Sequence, residues 1–141
     1  MKADQTTEAE VKAVLQNFTK SYERRDLSGL LACFPSDQDV VLYGTGKDEK
    51  RIGTDQIRVQ AERDWSQTDS AAIDFSWISV STSGSVAWAA ADGEIRIRVG
   101  NQELSLLLRT TFVLVKQAGT WLIVQSHFSL PNAGQDEGES F

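Results

Sequence analysis

From Ala72 to the last few residues the chain alternates apolar and polar side chains through four long stretches, broken only at Ser83-Gly84, Gly100-Asn101 and Ala118-Gly119. Alternation with a period of two, interrupted by pairs of small turn-forming residues, is the pattern of antiparallel strands joined by hairpins. Such a meander has an apolar side that another layer must cover. The cover lies in the first half of the sequence. Thr7 and Glu10 have the spacing of a capping box, and Val11, Val14, Leu15, Phe18 and Tyr22 follow on one helical stripe, predicting a helix from Glu8 to Arg24. Asp26 is placed to cap a second, shorter helix bearing Leu27, Leu30, Leu31 and Phe34, which Pro35 ends. Asp39 to Tyr43 reads as a short strand and Gly44 to Lys50 as a polar turn without the spacing of a phosphate-binding loop. Gly53-Thr54-Asp55 opens a third helix with Ile57, Ala61 and Trp65 on one face. The expected class is α+β, with three N-terminal helices across one face of a strongly bent antiparallel sheet and a pocket between the layers.

The remaining sequence properties exclude more than they assign. A chain of 141 residues, 40% apolar with four Trp and six Phe, supports one packed core, expected over residues 1–131. Residues 132–141 are polar, Gly-containing and acidic, and read as a disordered tail. A net charge of −6 opposes binding to nucleic acid or to anionic membrane surfaces. The first residues carry no apolar run like that of a secretory signal, and no stretch approaches the length of a membrane span, so a cytoplasmic location is expected. A lone Cys33 fits a reducing compartment, and with one His and one Cys the common zinc ligand sets cannot be assembled, so no metal or other cofactor is expected.

Strict alternation allows the last two hairpins to be threaded. Pairing Val99 with Gln102 sets Asp92 across from Arg109, and pairing Val115 with Leu122 sets Thr111 across from Ser126 and Arg109 across from Phe128. One face then carries Trp88, Asp92, Arg109, Thr111, Ser126 and Phe128. The other carries Ile95, Ile97, Leu104, Leu106, Leu108, Phe112, Ile123, Gln125 and His127. Both faces are largely apolar while the helices can shield only one, so the Ile/Leu/Phe face is expected to meet a second copy of the chain, making a homodimer. On the first face Asp92 and Arg109 are the one strong polar feature. Buried, such a pair would cost about 3–5 kcal/mol to break; it is either an anchor for a polar ligand or a structural cross-strand ion pair. An aspartate held by an arginine is a poor proton acceptor near neutral pH, which favours anchoring over base catalysis. Tyr43, Trp65, Trp88 and Phe128 are candidate pocket walls. His127, on the expected interface face, reads as structural. The pairing of the first hairpin is left open, with Val80 opposite Val86 or Ala87.

Several segments together resemble the SnoaL-like branch of the nuclear transport factor 2-like superfamily, over roughly Glu8 to Pro131. They are Asp26-Leu27-Ser28-Gly29-Leu30, Val41-Leu42-Tyr43-Gly44-Thr45-Gly46, Arg51-Ile52-Gly53-Thr54-Asp55, Val86-Ala87-Trp88, Arg109-Thr110-Thr111 and Trp121 through Ser129. The resemblance implies a cone, a cystatin-like fold in which a bent sheet wraps three helices, with a pocket inside and a dimer through the outer sheet face. Relatives include ketosteroid isomerases, polyketide cyclases, dehydratases and epoxide hydrolases, so the fold alone does not set the chemistry. Gln125 stands where relatives often carry a second His, and the Asp-Arg-Asp set of the epoxide hydrolases would take Asp92, Arg109 and Asp74. The expected function is binding of a small anionic or hydroxylated organic molecule, with Arg109 and Asp92 as anchors and Thr111 and Ser126 beside them. Two alternatives stay open. One is an isomerase, polyketide cyclase or hydrolase in which Asp92 is the catalytic residue that moves protons; the other is a non-catalytic dimerisation module with a closed cavity.

Overall fold

A computed structural model describes all residues, 1–141. Helix α1 spans Gln5–Arg24, α2 Leu27–Leu31 and α3 Thr54–Ser66; strands β1 Val41–Tyr43, β2 Lys50–Ile52, β3 Ser70–Ser83, β4 Val86–Val99, β5 Gln102–Gln117 and β6 Thr120–Ser129 form one sheet in the order β2-β1-β6-β5-β4-β3. The α+β class with three helices on a bent sheet is as expected. The N-terminus of α1 is not. Asp4, not Thr7, caps it, its carboxylate accepting from the Thr7 backbone N–H at 2.7 Å, so the helix starts three residues earlier. Glu10 is thereby freed from any capping box and accepts instead from the Trp121 indole N–H at 2.9 Å and from Lys116 at 3.2 Å, tying α1 to the sheet. Asp26 caps α2 as expected, accepting from Gly29 N–H at 3.0 Å.

Two features of the sheet were hidden in the polar segment before α3. Lys50, read as the end of a turn, and Arg51 and Ile52, assigned to no element, form β2 against β1, and β1 runs parallel to β6, so the sheet is antiparallel except at that one short pair. A three-residue strand is too short for alternation to reveal it. Residues 131–141 form no strand or helix and are exposed. No helix is long and apolar enough to cross a membrane.

The long strands pair largely as the turns dictate. Val99 lies opposite Gln102 and Asp92 opposite Arg109. The first hairpin takes a register different from either expected pairing, with Ser83 opposite Val86 and Val80 opposite Ala89, which puts Trp77 on the same face as Trp88 and Ile78 on the other. The β5–β6 hairpin begins as threaded, Val115 opposite Leu122, and then departs. A bulge leaves Leu114 opposite Ile123 but Val113 opposite Gln125, so Thr111 faces His127 and Arg109 faces Ser129. One extra residue in a strand moves every later side chain to the opposite face. Ser126 and Phe128 therefore lie with the Ile/Leu/Phe set, and Gln125 and His127 with Asp92 and Arg109.

The helices cover the opposite face from the one expected. The helices cover the face of Leu108, Phe112, Ile123 and Phe128, all buried, while Trp88, Asp92, Arg109, Thr111 and His127 lie on the uncovered convex side. Phe18 of α1 is the centre of the contact, stacked on Phe128 at 5.8 Å and edge-on to Phe112 at 6.3 Å and Phe34 at 6.1 Å. The more uniformly apolar face takes the permanent cover because burying it yields the larger transfer free energy.

The bend that makes the covered face concave is centred on a bulge in β3. Phe75 pairs with Gly93 and Trp77 with Asp92, leaving Ser76 extra, its hydroxyl donating to the Asp92 carbonyl at 3.2 Å. At Gly93 the two strands approach so closely that a Cβ would sit 2.2 Å from the Asp74 carbonyl oxygen. Backbone cannot yield as a flexible side chain can. Replacing Gly93 by Ala is expected to destabilise the domain by about 1–3 kcal/mol, read as a lower urea midpoint with a similar slope. A midpoint equal to wild type would show that the strands can separate there without cost.

Candidate functional site

Between the helices and the concave sheet lies a cavity of about 250 Å³, walled by Phe18, Leu30, Ile57, Ile73, Leu108 and Phe128 among others. Thr45 and Gln67 at its edge are exposed, so it opens to solvent between the β1–β2 turn and the end of α3. This is not the closed cavity of a pure dimerisation module.

One end of the cavity is polar. Helix α3 presents Ile57, Gln60, Ala61 and Asp64 on one face, at i, i+3, i+4 and i+7, and Tyr22 of α1 meets them from above. The Tyr22 hydroxyl donates to Asp64 Oδ2 at 2.9 Å, and the Gln60 amide donates to Asp64 Oδ1 at 2.7 Å and to Glu49 Oε1 at 3.2 Å. The Gln60 carbonyl accepts from Arg51 Nε at 2.8 Å, which sets the amide's orientation because an arginine can only donate. Arg63 in turn donates to Glu49 at 2.9 Å and to Asp48 at 2.8 Å. Trp65 braces the arrangement from outside, its indole N–H donating to the Tyr22 carbonyl at 3.0 Å.

Burial raises the Asp64 carboxyl above its ordinary range, with the Glu49 charge adding to the effect and the hydrogen bonds from Tyr22 and Gln60 opposing it. Burial, with Asp64 beside it, likewise holds the Tyr22 phenol protonated. The site can therefore hold a polar group of an otherwise apolar molecule against a carboxyl whose proton affinity burial has raised. The Cys33 thiol, pushed up to about 11 by burial, is remote from this chemistry.

The residues expected to form the site are scattered. Phe128 lines the cavity. Trp65 supports its polar end without lining it. Ser126 is fully buried with an unpartnered hydroxyl, outside the cavity wall. Tyr43 is half exposed, its ring 5.3 Å from that of His127. Trp88, Asp92, Arg109 and Thr111 all lie on the convex side, where Asp92, Arg109, Thr111, His127 and Ser129 line a separate shallow depression. Asp92 and Arg109 are exposed and form no ion pair; they lie opposite each other as threaded, but the face they share is the outer one. Tyr22, Glu49, Gln60 and Asp64 were not among the expected site residues. The available signal was Gln60 and Asp64 falling on the apolar stripe of α3, where a polar residue is out of place.

Comparison with known proteins agrees with this geometry. Solved structures of the same cone include a nuclear transport factor 2-like superfamily protein from Salmonella enterica serovar Typhimurium, 19% identical, covering 99% of this chain and 100% of that one with a TM-score of 0.84. A nuclear transport factor 2-like protein of unknown function from Pseudomonas putida is 19% identical over 91% of this chain and 89% of that one, TM-score 0.78. A protein of unknown function with a cystatin-like fold from Nostoc punctiforme is 15% identical over 94% of this chain and 97% of that one, TM-score 0.78. These define the class as the nuclear transport factor 2-like, cystatin-like fold. More narrowly, the SnoaL-like domain model matches residues 11–133, and the chain belongs to the SnoaL-like family. A search of curated proteins returns no match.

A carboxyl raised in the folded state binds more protons there than when unfolded, so it stabilises the fold below its unfolded pKa. That contribution is lost as pH rises through the folded pKa. The stability of wild type relative to Asp64→Asn is therefore expected to fall as pH rises from the ordinary carboxyl value of 3.8 toward neutrality, measured by urea denaturation at a series of pH values. A difference that is flat or grows with pH would show that Asp64 is not raised.

Proposed function

We propose that this SnoaL-like domain binds a small, mostly apolar organic molecule in the cavity between helices and sheet, its polar group resting on Tyr22 and Asp64. The observation that carries this reading is a carboxyl, raised by burial, at one end of a solvent-open apolar cavity. Apolar pockets with a few convergent polar groups are the usual form of small-molecule sites. At about 250 Å³ the space suits a single ring with a short substituent, since a 150 Å³ cavity already holds benzene. The direct test is a thermal-shift screen of small aromatic compounds against wild type and Ala61→Phe, a substitution that fills the cavity from α3. Hits should raise the wild-type melting temperature and leave the variant, folded by circular dichroism, unmoved. Equal shifts in both proteins would remove the cavity from the binding model.

A catalytic reading, as an isomerase, cyclase or hydrolase, has Asp64 as its best-supported proton carrier, because Asp92 does not reach the cavity. For any substrate found, Asp64→Asn is expected to retain binding and lose turnover by about 100-fold or more; full activity would end that reading.

We infer also that two copies associate through the convex face. Trp77 is 53% exposed there, Trp88, Val113 and Val115 lie on the same side without helical cover, and Asp92 and Arg109 are unpaired. A two-fold axis through this region would bring each Asp92 toward the other copy's Arg109. Sedimentation should give a dimer at micromolar concentration and a monomer for Trp77→Glu; monomeric wild type would refute the association.

A further inference from the structure

Resting on the binding reading above, we propose that the cavity selects a protonated amine as the head group of its ligand. The argument is a charge balance. No Lys, Arg or His lines the cavity, whereas Asp64 and Glu49 both do. The two carboxyl groups are neighbours, since both accept from the same Gln60 amide nitrogen. Their situations differ. Glu49 is neutralised by Arg63, at 2.9 Å, and also accepts from Gly46 N–H at 2.7 Å. Arg63 divides itself between Glu49 and Asp48, and Arg51, whose Nε donates to the neutral Gln60 carbonyl, stands behind Gln60 and does not line the cavity. Asp64 has no cationic partner; both of its hydrogen bonds come from neutral groups, Tyr22 and Gln60.

Each kind of head group then meets a different reception. A carboxylate would enter beside two carboxyls with no cation on the cavity wall to receive it, in surroundings where screening is weak. An alcohol can donate to Asp64 but leaves its charge uncompensated. An ammonium supplies both the proton donors and the missing charge, and an opposite charge beside the carboxyl favours its ionised form, so amine and carboxylate stabilise each other as an ion pair where screening is weak. The net charge of −6 favours the approach of the same sign of ligand. Arg109 was the residue that suggested an anionic ligand, and it stands on the opposite side of the sheet.

Isothermal titration of the full chain with three compounds of matched shape, 2-phenylethylamine, 2-phenylethanol and phenylacetate, tests this. The amine is expected to bind at least about tenfold tighter than the alcohol, with no measurable binding of the acid. Asp64→Asn should bring amine and alcohol within about threefold of each other, whereas Tyr22→Phe, which removes a neutral donor and leaves the charge, should keep the amine preference. Wild type binding the alcohol or the acid as tightly as the amine overturns the inference while the binding reading stands. So does an undiminished amine preference in Asp64→Asn. If none of the three binds, the inference falls, and the binding reading falls with it only if the cavity-filling Ala61→Phe also leaves every thermal shift unchanged. The wild-type ranking decides the question even where a variant fails to fold.

Discussion

The cavity depends on the close passage of β3 over Gly93. Where the Asp74 carbonyl crosses the position a side chain would occupy, the β3–β4 pair can bend, and the extra residue Ser76 takes up the difference in path length between the two strands. On one side of the bend β4 contributes Ala87, Ala89 and Ala91, all buried and all small, so the covering layer can approach the sheet. On the other side it contributes Ile95 and Ile97, which form cavity wall. A flat sheet would present these side chains in one plane, and helices packed on the alanines would leave no enclosed space beyond them.

The polar end of the cavity follows from how α3 meets that curved surface. An amphipathic helix with a wholly apolar stripe would have closed the gap. Gln60 and Asp64 instead place hydrogen-bonding groups in it, and Tyr22, Glu49, Arg51 and Arg63 satisfy most of them. The balance is incomplete at Asp64 alone among the cavity's acids. A half-buried carboxyl with no ion-pair partner in contact costs stability, and such costs are commonly retained where a ligand or a reaction uses them.

The convex side follows a different logic. Beyond the bend it is a ladder of charges, with Arg96 donating to Asp74 and near Glu94, and Arg98 close to Asp69. Nearer β6 it carries Trp77, Trp88 and the unpaired Asp92 and Arg109. The first half is suited to water, while the second leaves large apolar side chains such as Trp77 exposed.

Much of this architecture was legible in the sequence. The stripe Val11, Leu15, Phe18, Tyr22 and the cap at Asp26 place two helices, and the turns at Gly84, Gly100 and Gly119 set the four long strands and the register of β4 against β5, because hairpin length and period-two alternation are local properties. Two decisions were not local. Alternation divides a strand into two faces without saying which one the helices will cover, and a single bulged residue between Ile123 and Gln125 exchanged Ser126 and Phe128 for Gln125 and His127. The polar cluster was equally out of reach, since Tyr22, Glu49 and Asp64 become neighbours only when α1, the β1–β2 turn and α3 converge over the bent sheet. Sequence by itself determined the elements and most of their pairing; the tertiary structure decided which side is inside, and with it placed Tyr22 and Asp64 at the cavity and Asp92 and Arg109 on the opposite side of the sheet.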